Sequence, residues 1–285
     1  KALRILFEVR FVKISKYHGL GNDFIITKYE PNIDYKKLAI SLTREHLSIG
    51  ADGFIVVKNN PLEMLFYNKD GSVAPMCGNG IRCFSHYALK NGLVSCDSFD
   101  VKTGAGIMKI KVISSLDNDF RVKINMGHPL FDNNMIKASL DKNYFGLPII
   151  YEDKEYISYS FFMGTIHTVL LTDDIESMLE LNIGPFISNN SLFKEKTNVN
   201  FVQKIDEENY KIRTYERGVG YTLACGTGAC SAFVTLNRLG LVSDYVYMHL
   251  PYGILKISKE NDDIYMEGPS VHVFDTEIEV NNNEI

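Results

Sequence analysis

The feature that most constrains this chain is a repeat. Met76-Cys77-Gly78-Asn79-Gly80 and Ala224-Cys225-Gly226-Thr227-Gly228 share a Cys-Gly-x-Gly core, and their cysteines lie 225 − 77 = 148 positions apart in a chain of 285 residues. Each opens an amphipathic run that stops at a glycine fifteen residues past the cysteine, Gly92 (92 − 77) and Gly240 (240 − 225). The flanks repeat as well. Phe66-Tyr67-Asn68 and Thr214-Tyr215-Glu216 end at the same offset before their cysteines, 77 − 68 and 225 − 216 both being nine. Gly106-Ile107-Met108-Lys109-Ile110 answers Gly253-Ile254-Leu255-Lys256-Ile257 one residue out of register, and Asn125-Met126-Gly127 answers Met266-Glu267-Gly268. Self-similarity at so long a period is most economically a duplication of one folding unit.

The pattern around each cysteine is of one kind. Val12–Tyr17, Phe24–Thr27, Phe54–Val57 and Glu63–Tyr67 have the alternation or short apolar runs of strands, interrupted by the turns His18–Asp23, Ile49–Gly53 and Asn68–Ser72. Tyr35–Arg44 has helical spacing behind a capping Asp34. The helix opened by Cys77 turns Ile81, Phe84 and Ala88 to one side. Strands follow at Phe99–Lys102, Gly106–Ser114 and Phe120–Met126, the last two joined by a hairpin at Asp117-Asn118-Asp119. The second copy places strands at Glu155–Phe162 and His167–Leu171 around a turn Met163–Ile166, and a helix at Asp174–Leu181 with Asp173 or Asp174 as its cap. Further strands are expected at Asn198–Ile205, Tyr210–Tyr215, Tyr245–Leu250 and Gly253–Ser258. The expected fold is therefore α+β, with residues 1–126 as one half and 127–270 as the other. Residues 271–285 are a candidate return to the first half.

Charge and cysteine usage narrow the function. A formal net charge of −5 leaves no basic footprint for nucleic acid or an anionic membrane. No apolar run approaches the roughly 20 residues of a bilayer span, and Lys1–Phe11 mixes charges through its apolar residues, unlike a signal peptide. Five cysteines without a Cys-x-x-Cys pair read as free thiols of a cytoplasmic protein rather than a disulfide scaffold. Cys77/Cys83 and Cys225/Cys230 lack histidines at zinc-site spacing, so no metal is expected. Cys83, Cys96 and Cys230 are read as small buried hydrophobes.

Cys77 and Cys225 ask for more. A cysteine at a helix start sits among unpaired backbone N–H groups at the positive end of the dipole, which stabilises its thiolate. Amides left bare by Gly78 and Gly226 can hold a carboxylate. Two such stretches facing one amino acid would let one thiolate take the α-proton while the opposite thiol delivers another, inverting the centre. Glycine is costly at these positions unless close approach of the backbone is needed, so packing alone explains the doubled motif poorly.

These residues resemble diaminopimelate epimerase, the cofactor-independent two-cysteine family of lysine and cell-wall biosynthesis. The resemblance runs from about Val12 to the C-terminus. It rests on His18-Gly19-Leu20-Gly21-Asn22-Asp23-Phe24, Gly50-Ala51-Asp52-Gly53, Asn68-Lys69-Asp70-Gly71-Ser72, Cys77-Gly78-Asn79-Gly80-Ile81-Arg82-Cys83, Asn125-Met126-Gly127, Tyr215-Glu216-Arg217-Gly218 and Ala224-Cys225-Gly226-Thr227-Gly228. It implies two pseudo-symmetric domains, each a mainly antiparallel sheet or barrel around a central helix, with the active site in the cleft between them. It also implies catalysis without pyridoxal phosphate or metal, and fits a homodimer. By the family pattern Cys77 and Cys225 are the base and acid. Asn22, Gly78, Asn79, Gly226 and Thr227 would hold the reacting end of the substrate; Asn68, Asn198, Glu216 and Arg217 would recognise the distal end. Arg217 can fork onto a carboxylate and Glu216 can pair with an ammonium, with Glu216 also carried as a candidate catalytic group. His167 matches a family histidine beside the reacting centre.

One departure bears on substrate choice. Where the family commonly has Gly-Asn-Pro-His, this chain has Gly164-Thr165-Ile166-His167, and Thr165 lacks the amide that contacts the distal end. Related two-cysteine racemases act on other amino acids, histidine among them. A racemase of another amino acid and a non-catalytic amino-acid-binding protein therefore stay open at this point, as does a redox pair formed by Cys77 and Cys225.

Overall fold

The computed structural model describes residues 10–116 and 119–280, so the readings for residues 1–9 and for most of the Asp117–Asp119 hairpin lie outside the described residues. The chain divides into two compact units, residues 1–122 with 269–285 and residues 123–268. In chain order, the first unit and the segment leading out of it comprise β1 (Arg10–Gly19), β2 (Asn22–Lys28), α1 (Tyr35–Leu42), β3 (Gly53–Lys58), β4 (Glu63–Asn68), β5 (Val73–Ala74), α2 (Gly78–Lys90), β6 (Ser98–Thr103), β7 (Gly106–Leu116) and β8 (Asp119–Asn125). Then follow β9 (Phe145–Tyr151), β10 (Lys154–Met163), β11 (Thr165–Leu171), α3 (Ile175–Glu180), α4 (Ile183–Ser188), β12 (Asn198–Lys204), β13 (Asn209–Glu216), β14 (Gly220–Thr222), α5 (Gly226–Arg238), β15 (Tyr245–Leu250), β16 (Gly253–Glu260) and β17 (Asp263–Pro269). The last strand is β18 (Val271–Val280).

The pairing repeats from unit to unit. In the first, β18, β1, β2, β3 and β4 are neighbours in that order, antiparallel except for the β2–β3 pair, and β6 and β7 extend the row with a parallel β4–β6 step. In the second the row is β9, β10, β11, β12, β13, β15, β16 and β17, again antiparallel except at β11–β12 and β13–β15. Each parallel step needs a crossover, and helices supply it: α1 between β2 and β3, α3 and α4 between β11 and β12, α2 and α5 between the later pairs. The place beside β1 that β18 fills from the far end of the chain is filled beside β10 by β9, the strand just before it.

The two long helices are central because nearly their whole circumference is apolar or small. Along α2, Ile81, Cys83, Phe84, Tyr87 and Ala88 are buried together with Asn79, Arg82 and Ser85, and α5 is buried from Gly226 through Leu236 apart from Thr227. A helix buried on all sides belongs inside a sheet wrapping rather than on a surface. The guanidinium of Arg82, fully buried, donates to the carbonyls of Pro269 (3.0 Å) and Gly78 (3.2 Å). Gly19 has no side chain because a Cβ there would stand 2.8 Å from Arg82 Nη2.

Helix boundaries follow local chemistry. Asp34 accepts from the amides of Lys36 and Lys37, and Asp174 from those of Glu176 and Ser177, as N-caps should. At the other end Gly92 and Gly240 adopt positive φ (66° and 73°), and the following Leu93 and Leu241 amides return to Ala88 and Leu236 carbonyls at 2.9 Å. That left-handed closure is why the repeat ends in glycine. Two expectations need correction. The turn expected over Met163–Ile166 shrinks to Gly164 (φ 70°), since β10 runs through Met163 and β11 already begins at Thr165. Cys96 is exposed rather than buried, because it lies in the loop before β6, where its Sγ–H donates to the Ser98 carbonyl.

Candidate active site

Cys77 and Cys225 sit one step before their helices, as N-caps. Both have extended backbone (φ −135° and −125°), and each sulfur accepts from the amide three residues on, Gly80 and Gly228, at 3.4 Å. An N-cap acceptor completes one of the helix's unpaired donors, the place α1 and α3 give to aspartate. A thiol is a poor acceptor and a thiolate a good one, so the position favours the reactive form.

Around Cys77 the first unit brings Asn22 and Asn79 together. Asn22 Nδ2 donates to Asp52 Oδ2 (2.7 Å), which turns its Oδ1 toward Asn79 Nδ2 (3.0 Å) and Cys77 Sγ (3.9 Å). Asp52 is held in turn by the Asp23 amide (3.1 Å) and by Lys69 (3.3 Å). Burial pushes its carboxyl up, but the bonds from Asn22 and Asp23 and the Lys69 charge outweigh that and leave it below the ordinary carboxylate range. Asp23 carries Lys16 at 2.5 Å, and Lys16 also donates to the Gly50 carbonyl. Asp52, Asp23 and Lys16 thus fix the orientation of the asparagine beside the cysteine. Asn68 closes its own tight turn, its side-chain amide donating to Ser72 Oγ at 2.9 Å.

The second unit assembles Cys225, Thr227, His167, Thr165, Asn198, Glu216 and Arg217. Thr227 Oγ1 lies 3.6 Å from Cys225 Sγ and 3.0 Å from His167 Nε2. Burial, with the Arg217 charge second, pushes His167 down to about 3, so its ring is neutral near neutral pH. Asn198 Oδ1 accepts from the Arg217 amide (2.9 Å), while the guanidinium donates to the Glu195 carbonyl (2.7 Å) and to Thr165 Oγ1 (2.8 Å). Thr165 therefore orients the arginine even without a family asparagine. Glu216 Oε1 accepts from Thr222 Oγ1 at 2.6 Å.

Two residues of this cluster escaped the sequence reading. Asn200 donates from Nδ2 to His167 Nδ1 (3.1 Å) and the Thr168 carbonyl (3.3 Å), and its Oδ1 accepts from Thr214 Oγ1 (3.0 Å). The signal was the alternation Asn198-Val199-Asn200, which puts both asparagines on one face of a strand. Among the described residues no group of three or more His, Cys, Asp or Glu is placed to hold a metal ion, and no helix is long and apolar enough to cross a membrane.

Solved structures share this α+β fold. A hydroxyproline epimerase from Agrobacterium vitis superposes with a TM-score of 0.68 at 12% identity, covering 97% of this chain and 95% of its own. A phenazine biosynthesis protein of the PhzF family from Bacillus anthracis gives 0.67 at 14%, covering 94% and 99%. At such identities the likeness is one of fold. Sequence goes further: the diaminopimelate epimerase family model matches residues 14–131 and 159–273. Diaminopimelate epimerases from Caldanaerobacter subterraneus subsp. tengcongensis and Halothermothrix orenii are 40% and 38% identical, over 94% and 92% of this chain and 100% and 96% of theirs. The chain belongs to the diaminopimelate epimerase family and is an isomerase of the epimerase kind.

Proposed function

We propose that this enzyme converts L,L-diaminopimelate to the meso form by two-thiol proton transfer, serving lysine and cell-wall precursor synthesis. The observation that carries the reading is the doubled cysteine N-cap, each sulfur 3.4 Å from a helix-start amide. One thiolate removes the α-proton as the C–H electron pair passes to the α-carbon and its carboxylate. The other thiol gives its proton to the opposite face and becomes the thiolate. Protons balance within the pair, and no oxidant or reductant is needed. The helix-start amides of Gly78, Asn79, Gly226 and Thr227 would take the α-carboxylate, whose growing charge they stabilise most in the transition state. Arg217, with Asn68, Asn198 and Glu216, would read the distal amino-acid end, a polar recognition able to reject substrates lacking it.

The relatives at 38–40% identity support diaminopimelate over other amino acids. The test follows inversion and uptake of deuterium from solvent with L,L-diaminopimelate, L-histidine and L-lysine side by side. Cys77→Ala and Cys225→Ala should each abolish inversion while leaving the far-ultraviolet circular dichroism unchanged. Near-normal turnover in either variant would sink the two-thiol mechanism. Turnover of another amino acid with diaminopimelate inert would sink the substrate.

A further inference from the structure

The duplication supplies its own control. His167 opposes Asn198 in the parallel β11–β12 pair as Phe24 opposes Gly53 in β2–β3, and Asn200 opposes Thr214 across β12–β13 as Ile55 opposes Phe66 across β3–β4. The contacts with the central helices agree. A Cβ on Gly228 would meet Asn200 Oδ1 at 2.4 Å and Thr214 Oγ1 at 3.0 Å, whereas one on Gly80 would meet Ile55 Cδ1 at 3.3 Å and Phe24 Cε1 at 3.6 Å. So the unit holding Cys77 packs Phe24, Ile55 and Phe66 where the unit holding Cys225 packs His167, Asn200 and Thr214. Both sets are buried, the polar one to 0%, 0% and 5% exposure. The apolar set shows that the fold does not require polar groups here, and burying them carries a desolvation penalty that apolar side chains avoid.

The polar set has a direction. The Thr168 carbonyl can only accept, so the side-chain nitrogen of Asn200 must be the atom turned toward it, and the Thr214 hydroxyl donating to Oδ1 agrees. The remaining Nδ2 hydrogen points at His167 Nδ1, 3.1 Å away. A neutral imidazole whose Nδ1 accepts carries its proton on Nε2. Nε2–H then donates to Thr227 Oγ1, whose own hydrogen is left for Cys225 Sγ.

We propose that Asn200 is a positioning residue: it fixes the Nε2–H tautomer of His167 and so aims the Thr227 hydroxyl at the sulfur of Cys225 as a donor. With the Gly228 amide, that sulfur then receives two hydrogen bonds, which favours its thiolate. Cys225 is thereby the member of the pair biased toward the base form in the substrate-free enzyme, an inference that rests on the two-thiol reading above. Arg217 is the charged group facing His167, and its positive charge opposes protonation of the ring.

The direct test is long-range proton–nitrogen correlation spectroscopy on the ¹⁵N-labelled full chain, with the His167 signals assigned by difference from His167→Gln. A protonated Nε2 and bare Nδ1 near neutral pH are expected; a protonated Nδ1 overturns the proposal. The second arm titrates the Cys225 thiolate by its ultraviolet absorbance, differenced against Cys225→Ser. Asn200→Asp should move the tautomer to Nδ1–H and raise the Cys225 midpoint by about one pH unit. Thr227→Val should raise it similarly, and Thr227→Ser should restore it. An unmoved midpoint in both Asn200→Asp and Thr227→Val overturns the relay. Loss of the two-thiol mechanism would show separately, as turnover by Cys225→Ala with the tautomer unchanged.

Discussion

Replacing each motif's second glycine by alanine separates the two copies of the repeat. Both glycines donate an amide to a cysteine sulfur, and alanine keeps that amide. What differs is the space. At Gly80 the new methyl would touch Cys77 Cβ and Ile55 Cδ1, both at 3.3 Å, contacts that a few tenths of an ångström relieve. At Gly228 it would come within 2.4 Å of Asn200 Oδ1 and 3.0 Å of Thr214 Oγ1, and Asn200 has no free space since both ends of its amide are bonded. Overpacking of this kind costs about 1–3 kcal/mol, and displacing the amide forfeits about 1 kcal/mol of hydrogen bonding. The helix gains back about 1 kcal/mol from losing a glycine. Gly228→Ala is therefore expected to lose about 2 kcal/mol, a fall of about 4–8 °C in melting temperature for a unit of this size. Gly80→Ala should stay within about 1 kcal/mol of the wild type. Differential scanning calorimetry reads the stability and the deuterium-uptake assay reads activity, in which Gly228→Ala should also be the poorer enzyme. Equal melting temperatures and activities in the two variants would refute the view that Asn200 and Thr214 explain the glycine.

His167 ties stability to pH. Its folded-state value of about 3 lies below the roughly 6.5 of an unfolded histidine, so below pH 6.5 the unfolded chain binds the extra proton. Stability is then fully present above that value and declines as pH falls toward the folded one, by at most about 1.4 kcal/mol per pH unit for this group. His86, pushed down to about 4 chiefly by burial and stacked on Phe120 at 4.0 Å, acts in the same direction. His167→Asn should flatten the decline between pH 6.5 and 4 in denaturant titrations, and an unchanged slope would count against a buried neutral ring. Thr165→Ala removes the side-chain acceptor of the Arg217 guanidinium, leaving the Glu195 carbonyl, so kcat/KM for diaminopimelate should fall about tenfold, the order expected for a hydrogen bond to a charged group. Thr165→Ser should recover most of it, and wild-type kinetics in Thr165→Ala would remove the arginine from the substrate's distal end.

What could be read from the sequence was whatever depends on local chemistry. Asp34 and Asp174 cap their helices, and Gly92 and Gly240 close the long ones, because a side-chain acceptor or a left-handed φ is a property of one residue and its immediate neighbours. The elements that escaped carry weak local signals. Strand β9 contains Gly146 and Pro148, which argue against a strand. Helix α4 starts from Asn182 in left-handed conformation with no side-chain cap, and its Gly184-Pro185 hides the helical spacing. In the site, the cysteines and Arg217 stood out by type and repetition. Asn200 did not, because its role depends on an imidazole 33 residues earlier and a hydroxyl 14 residues later, brought together by strand register.

The same register explains why a duplicated enzyme gains by making its copies unequal. A two-thiol inversion starts from one thiol and one thiolate. If both sulfurs had identical affinities for a proton, at best about half of the molecules would hold one proton between them at any pH. Separating the two affinities by about two pH units, centred on the working pH, raises the correctly protonated share to about four in five. The environments here differ in the sense this requires. Cys77 Sγ faces the carbonyl oxygen of Asn22, an acceptor fixed by Asp52, whereas Cys225 Sγ faces a hydroxyl whose donor direction is set by Asn200 through His167. An acceptor beside a sulfur favours the thiol and a donor favours the thiolate. If the proposed two-thiol function holds, the buried polar set beneath α5 is the divergence that separates the roles of two otherwise equivalent cysteines, while Thr165, Asn198, Glu216 and Arg217 would form the separate divergence toward the substrate's distal end.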